Sequence, residues 1–245
     1  MPVSTVASYL SGVNYAHKTR NLTDYTKSFI ISQMLEGLRR RNPQKSDIRT
    51  PISVDLLKKL ISSLRWICNS DYEACMFSSA FSLAYFAMLR VSELAVASQN
   101  GENGHALNFN DVTFAENNVQ TELYIKIRSS KTDQKRHSVT LVLQKHSDLA
   151  LCPINLLQSF TRLRFSGLNG SNKLYIHFSG RALTKYQCCS ILQKSLSFCE
   201  VQFHIRSHSF RIGRATDLAK NGVDEEFIKL YGRWKSSSYL RYIRV

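Results

Sequence analysis

The stretch HSFRIGRATDLAKNG, residues 208–222, constrains the fold and its chemistry more than any other part of the chain. It predicts a helix over 208–221, which Asn221-Gly222 ends. His208 and Arg211 are three positions apart, so on a helix they project from one face near its positively polarised N-terminus. Two such donors at a helix terminus suit a phosphate. A packed histidine beside a surface arginine has the same spacing, so H-x-x-R alone does not decide the function.

A second motif, MLRVSEL at residues 88–94, places an arginine directly after a long apolar segment. A buried guanidinium without an anion is costly, so Arg90 is expected to meet a negative charge. Glu93, three positions later, is one candidate, and an anion from outside the protein is the other. The motif therefore predicts either a structural ion pair or a binding site.

The third motif is YGRWKSSSYLRYIRV, residues 231–245. Residues 236–244 are expected to form a short amphipathic helix that carries Tyr239 and Tyr242, shortly after Trp234. Tyrosines on such helices commonly serve packing alone. Here they lie among four lysines and arginines, which favours contact with a nucleic-acid backbone.

The remaining patterns predict a mainly α fold with a small antiparallel β-sheet (α+β). Strands are expected at 122–128 and 138–143, flanking a basic hairpin tip at 129–137, and a further short strand at 174–178. A polar linker at 43–52 separates residues 1–42, too small for a core of their own, from a domain over 53–245. The other expected helices are 4–19, 25–40, 54–67, 72–89, 153–165 and 184–198. Asp224 is expected to cap one more.

The composition indicates a nucleic-acid partner. Lysine and arginine total 33 against 18 aspartate and glutamate, a formal charge of +15, which favours phosphates over membranes or acidic proteins. The six cysteines show no C-x-x-C pair and no zinc-type spacing, so reduced thiols and an intracellular protein are expected. We predict no signal peptide, membrane span, metal, cofactor or small-molecule substrate, because the patterns that would indicate them are missing.

Taken together, L-R-x-S-E-L, a basic hairpin with lysine, H-x-x-R, G-x-W and a terminal Y-I-R resemble the tyrosine recombinase (phage-integrase) family from about residue 50 onward. The GRW and YIR variants are most similar to the recombinases of Crypton- and DIRS-type mobile elements. Residues 4–18 resemble the last part of the family's helical core-binding (SAM-like) domain. By this resemblance, residues 1–42 are the end of a truncated core-binding domain, and 53–245 form the catalytic domain.

The resemblance implies a metal-free enzyme that recombines or integrates DNA through a 3′-phosphotyrosyl intermediate. Its implied active site contains six residues: Arg90, Lys131, His208, Arg211, Trp234 and Tyr242. Arg90 and Arg211 would hold the scissile phosphate, and His208 would act as general acid/base. Lys131 would protonate the leaving 5′ oxygen, Trp234 would donate a hydrogen bond, and Tyr242 would be the nucleophile. Tyr239 competes for the last role, and Lys135 competes with Lys131.

The resemblance further implies double-stranded DNA as partner, a homotetramer on paired sites, and the nucleus if the source is a eukaryotic transposable element. The sequence leaves three other functions open. A type IB topoisomerase uses a similar site but is disfavoured by the short chain. A catalytically inactive, domesticated DNA-binding protein is the principal alternative. A basic RNA-binding protein ranks last, because no RNA-binding module is recognisable.

Overall fold

A computed structural model describes residues 2–43, 47–99, 104–116, 121–128, 138–164 and 171–244. The chain divides into two compact units, Met1–Ile48 and Arg49–Val245. Helices dominate, and the strands form one small sheet, so the predicted fold class is confirmed.

The first unit consists of two helices in contact, α1 (Val3–Thr19) and α2 (Phe29–Arg41), in neither of which any residue is buried. The predicted start of the second helix at residue 25 is wrong. The Asp24 carboxylate accepts hydrogen bonds from the backbone and hydroxyl of Thr26, which holds this segment in a turn. Ser28 then caps the helix by accepting from the Ile31 amide.

The second unit is built around α4 (Asp71–Phe86), a helix apolar nearly all round that packs against its neighbours on several sides. These neighbours are α3 (Val54–Ile67), α6 (Pro153–Arg164) and α8 (Ser209–Lys220). The predicted extension of α4 to residue 89 is wrong. Met88 adopts a left-handed backbone (φ 46°), and the Leu89 amide bonds back to the Ala84 carbonyl, so the helix closes in a Schellman turn.

A three-stranded antiparallel sheet, in the order β1-β2-β3, packs on this core. The strands are β1 (Val112–Glu116), β2 (Thr121–Ile127) and β3 (Val139–Leu143). The hairpin of β2 and β3 confirms the predicted pair, and alternate residues such as Leu123, Ile125 and Leu141 are buried. The first strand was not predicted, because VTFAE is short and only partly buried.

The strand expected at 174–178 is not formed. Its neighbourhood has only isolated bridges, Ile176 with Ala182 and Asn108 with Lys173. Leu174, Tyr175 and Ile176 are all buried in succession, so they lack the alternation of a strand with one solvated face. The apolar run belongs to a loop packed into the core.

The C-terminal third contains α7 (Lys185–Phe198), α8, α9 (Glu225–Tyr231) and a 3-10 helix (Ser237–Tyr242). A short helix, α5 (Val91–Leu94), and a 3-10 helix (Phe109–Asp111) complete the described elements. Gly222 (φ 70°) ends α8 and Asp224 caps α9, both as predicted. The expected amphipathic helix over 236–244 is instead the 3-10 helix, and Ile243 is extended.

Candidate functional site

The first predicted site residue, Arg90, lies where α4 ends and α5 begins. Its Nη1 donates to Glu93 Oε1 at 3.1 Å, and its backbone amide donates to Glu93 Oε2 at 2.8 Å. The Glu93 side chain is 1% exposed, whereas that of Arg90 is 16% exposed. The ion pair considered from the sequence is therefore present, and the arginine retains a solvent-facing edge.

Arg211, in the first turn of α8, is completely buried. Its Nη1 donates to the Met88 carbonyl, and its Nη2 donates to the Gly232 carbonyl at 2.8 Å. Burial lowers the pKa of Arg211, as do the nearby charges of Arg90 and Arg233. The group nevertheless remains a cation at neutral pH, because a guanidinium starts from a very high pKa. The first turn of α8 thus holds a positive charge in the protein interior.

His208 immediately precedes α8, and its Nε2 lies 3.2 Å from the Tyr242 hydroxyl. This distance permits a hydrogen bond in which either group donates, depending on the imidazole tautomer. The Arg211 guanidinium carbon is 5.5 Å from the Tyr242 ring centroid and 4.8 Å from that of Trp234. An imidazole, a phenol, an indole and a guanidinium therefore meet at one point.

The two candidate tyrosines point to different places. Tyr242 faces His208, and its ring centroid lies 4.8 Å from that of Trp234. Tyr239 donates its hydroxyl proton to Glu225, at the start of α9. This hydrogen bond raises the pKa of Tyr239, so its phenolate is disfavoured. Of the two, the structure brings only Tyr242 to His208 and Arg211.

Sequence reasoning did not select Arg233 as a site residue, although it lies next to Trp234. Its Nη2 donates to Glu93 Oε2 at 2.8 Å and contacts the Met88 carbonyl at 3.2 Å. The Arg233 side chain is 8% exposed. The sequence contains one indication of such a residue: a buried Glu93 paired with Arg90 has a second carboxylate oxygen, which can accept from another cation. That cation could not be identified from the sequence, because Arg233 lies 140 residues from Glu93.

Lys131 and Lys135, the competing candidates for the general acid, lie outside the described residues. The described chain reaches Arg128, whose Nε donates to Asp111 at 2.5 Å, and resumes at Ser138. The strands on either side of the tip are paired from Leu123–Leu143 to Ile127–Val139. The lysine assignment stays a prediction.

Within the described ranges, no group of three or more histidine, cysteine, aspartate or glutamate residues is placed to hold a metal ion. The same part of the chain contains no helix with the length and apolarity needed to cross a bilayer. All six cysteines are free thiols, and Cys152 and Cys188 are buried.

Comparison with known proteins gives matches at the level of structure alone. Neither the protein-family models nor the curated protein sequences match this chain. The solved structures that it resembles include XerH site-specific recombinase bound to difH substrate, with a TM-score of 0.62 and 17% identity over 100% of this chain and 67% of that one.

Two further structures agree with this result. XerA recombinase matches with a TM-score of 0.58 and 16% identity, over 98% of this chain and 77% of that chain. A lambda integrase dimer bound to a COC' core site matches with a TM-score of 0.57 and 13% identity, over 100% and 65%. The chain therefore has the fold of the tyrosine recombinases.

Proposed function

We propose that this chain is a site-specific DNA recombinase or integrase that cleaves and rejoins double-stranded DNA without a metal ion, through a 3′-phosphotyrosyl intermediate on Tyr242. The observation that carries the proposal is the 3.2 Å approach of His208 Nε2 to the Tyr242 hydroxyl, beside the Arg211 guanidinium. A phenol next to a general base and a fixed cation has the components of an activated nucleophile.

In the proposed reaction, the Tyr242 oxygen attacks the scissile phosphorus while its proton passes to the neutral imidazole of His208. The bond from phosphorus to the 5′ oxygen breaks, and that oxygen takes a proton from Lys131. The product is a 3′-phosphotyrosine and a free 5′ hydroxyl. Rejoining reverses these steps with another 5′ hydroxyl, so the linkage energy is conserved and no ATP is consumed.

Arginines supply the electrostatic stabilisation that metal ions provide in many other phosphoryl-transfer enzymes. Arg90 and Arg211 would bind the non-bridging oxygens, and one preorganised donor is typically worth about 3–4 kcal/mol of barrier. Trp234 would add an indole N–H donor, which cannot shuttle a proton. Arg211 is completely buried and lies against Trp234 and Tyr242, so a phosphate would reach its guanidinium only after neighbouring side chains move.

The proposal extends to the partners and the domain plan. The formal charge of +15 favours the DNA backbone, and the similar XerH and lambda integrase structures are bound to difH substrate and to a COC' core site. We assign residues 1–42 to a core-binding domain, consistent with the exposed apolar side chains of Tyr9, Tyr15 and Phe29. Assembly as a homotetramer, a nuclear location and a mobile-element origin remain predictions from the family resemblance.

The test is covalent trapping on a pool of nicked suicide duplexes of randomised sequence, followed by a denaturing gel. We expect the native chain and Tyr239→Phe to form a protein–DNA adduct, because Tyr239 bonds to Glu225 and faces away from His208. Tyr242→Phe should form none, since it removes only the attacking oxygen. An adduct that persists in Tyr242→Phe would exclude this nucleophile.

If the native chain retains DNA without forming any adduct, the inactive DNA-binding protein becomes the better description. The trapped pool also yields the target, since sequencing the DNA in the adduct reports which duplexes were cleaved. Relaxation of supercoiled plasmid that contains none of those sequences would instead favour a type IB topoisomerase.

A further inference from the structure

Two helix ends meet beside the candidate site, and both have an unusual residue at the turn. α4 ends in a Schellman turn with Met88 in the left-handed region (φ 46°), and α9 ends in the same turn with Arg233 there (φ 59°). The Trp234 amide bonds to the Lys229 carbonyl, as this motif requires. Glycine is the usual residue at that position, because a side chain costs about 1–2 kcal/mol in this conformation.

The side chain of Arg233 supplies contacts that glycine cannot. One of its terminal nitrogens reaches both Glu93 Oε2, at 2.8 Å, and the Met88 carbonyl, at 3.2 Å. The same two groups accept hydrogen bonds from the proposed phosphate-binding arginines, since Arg90 donates to the other oxygen of the Glu93 carboxylate and Arg211 donates to the Met88 carbonyl. Arg233 therefore shares one accepting group with each of the two arginines.

The balance of charge explains why the three arginines and Glu93 depend on one another. Three guanidiniums surround one carboxylate that is 1% exposed, and the charges of Arg90 and Arg233 both lower the pKa of Arg211. Without the Glu93 carboxylate, the three cations would repel one another in a poorly solvated site. Without Arg233, the Glu93 carboxylate would lose one of its two guanidinium partners.

We propose that Arg233 is a positioning residue that aligns Arg90 and Arg211 with Tyr242 through Glu93 and the Met88 carbonyl. This inference rests on the proposed recombinase function. Burial does not distinguish Arg233 from Arg211, because the Arg233 side chain is 8% exposed and Arg211 is completely buried. Arg233 is assigned to alignment because its Nη2 is engaged by the Glu93 carboxylate and the Met88 carbonyl.

The test is a double-mutant cycle with Arg233→Asn and Glu93→Gln. Asparagine tolerates the left-handed backbone, so the first variant removes the guanidinium without adding strain. At saturating DNA, we expect each single variant to slow single-turnover cleavage by about 100-fold, the typical effect of misplacing a catalytic group by about 1 Å. The double variant should also be about 100-fold slower, because both changes break the same linkage.

Two outcomes would overturn the positioning role. The first is undiminished cleavage by Arg233→Asn. The second is a double variant slowed by the product of the single effects, about 10⁴-fold, which is the expectation for independent contacts. The matched control is Arg214→Lys, because Arg214 is a partly buried arginine of α8 that pairs with Asp217. This variant should cleave DNA at the native rate.

A readout that needs no catalysis separates this inference from the proposed function. The chain has two tryptophans, so Trp66→Phe leaves Trp234 as the only indole, 4.8 Å from the Arg211 guanidinium. In that background, Arg233→Asn should change the emission of Trp234 while the circular dichroism stays native. An altered emission in a protein that never forms an adduct would refute the recombinase activity and support the positioning role. Unaltered emission would refute the positioning role.

Discussion

Gly232 precedes Arg233, and a single methyl group there tests how closely the indole ring is packed. A Cβ atom at Gly232 would lie 1.7 Å from Trp234 Cζ3 and 2.1 Å from Cε3. Ordinary contacts of a Cβ begin at 3.4 Å, so the ring must move by about 1.7 Å. The backbone of Gly232 (φ −75°, ψ −5°) suits alanine, so Gly232→Ala adds a steric conflict without backbone strain.

The displaced ring changes both the stability and the site. Overpacking of this size costs about 1–3 kcal/mol, which corresponds to a fall in melting temperature of roughly 5 °C for a domain of this size. Trp234 lies against Arg211 and Tyr242, and the Gly232 carbonyl itself accepts from Arg211. We therefore expect cleavage to slow by about 100-fold as well.

Thermal melting followed by circular dichroism measures the loss of stability. The emission of Trp234 in the Trp66→Phe background measures the displacement of the indole ring. The control is Gly37→Ala in α2, where a Cβ meets nothing within 4 Å. It should leave the emission unchanged, and replacing a helical glycine stabilises by up to about 1 kcal/mol. Native melting and native emission in Gly232→Ala would show that the indole does not pack on Gly232.

Two further predictions concern the fold around the site. Gly213→Ala should destabilise the protein by about 3 kcal/mol, because its Cβ would lie 1.9 Å from the Ile52 carbonyl oxygen, which is backbone and cannot rotate away; an unchanged urea midpoint would contradict this packing. Stability should also fall as the pH rises from about 10 towards 12, because burial raises the pKa of Tyr231 to about 12, whereas tyrosine in the unfolded chain ionises near 10. Tyr231→Phe should reduce that loss in melting experiments across this range, and an identical pH dependence in the variant would exclude Tyr231 as its source.

Much of the secondary structure followed from local sequence. The ends of α3 were predicted as found, since Ser53 caps a strongly amphipathic segment. Asn221-Gly222 and Asp224 marked the end of one helix and the start of the next for equally local reasons. Helix caps and helix ends can be predicted from the sequence because each depends on residues within about four positions of one another.

Two of the wrong predictions concern features that depend on distant contacts. α4 was expected to continue through Leu89, but the chain turns at Met88, whose carbonyl accepts from Arg211 on α8. Residues 174–176 have a strand-like composition, yet all three consecutive side chains are buried because the core surrounds this loop. Neither result is encoded in a short window of sequence.

The sequence by itself determined the fold class, the basic character and the set of residues from which a phosphate site can be assembled, because periodicity, capping and residue chemistry are local properties. Only the tertiary structure decided that Tyr242 meets His208 while Tyr239 turns to Glu225. It also decided that Arg233 joins Glu93, 140 residues away. These pairings depend on how helices pack in space, and a buried charge takes whichever distant partner the packing brings within hydrogen-bond distance.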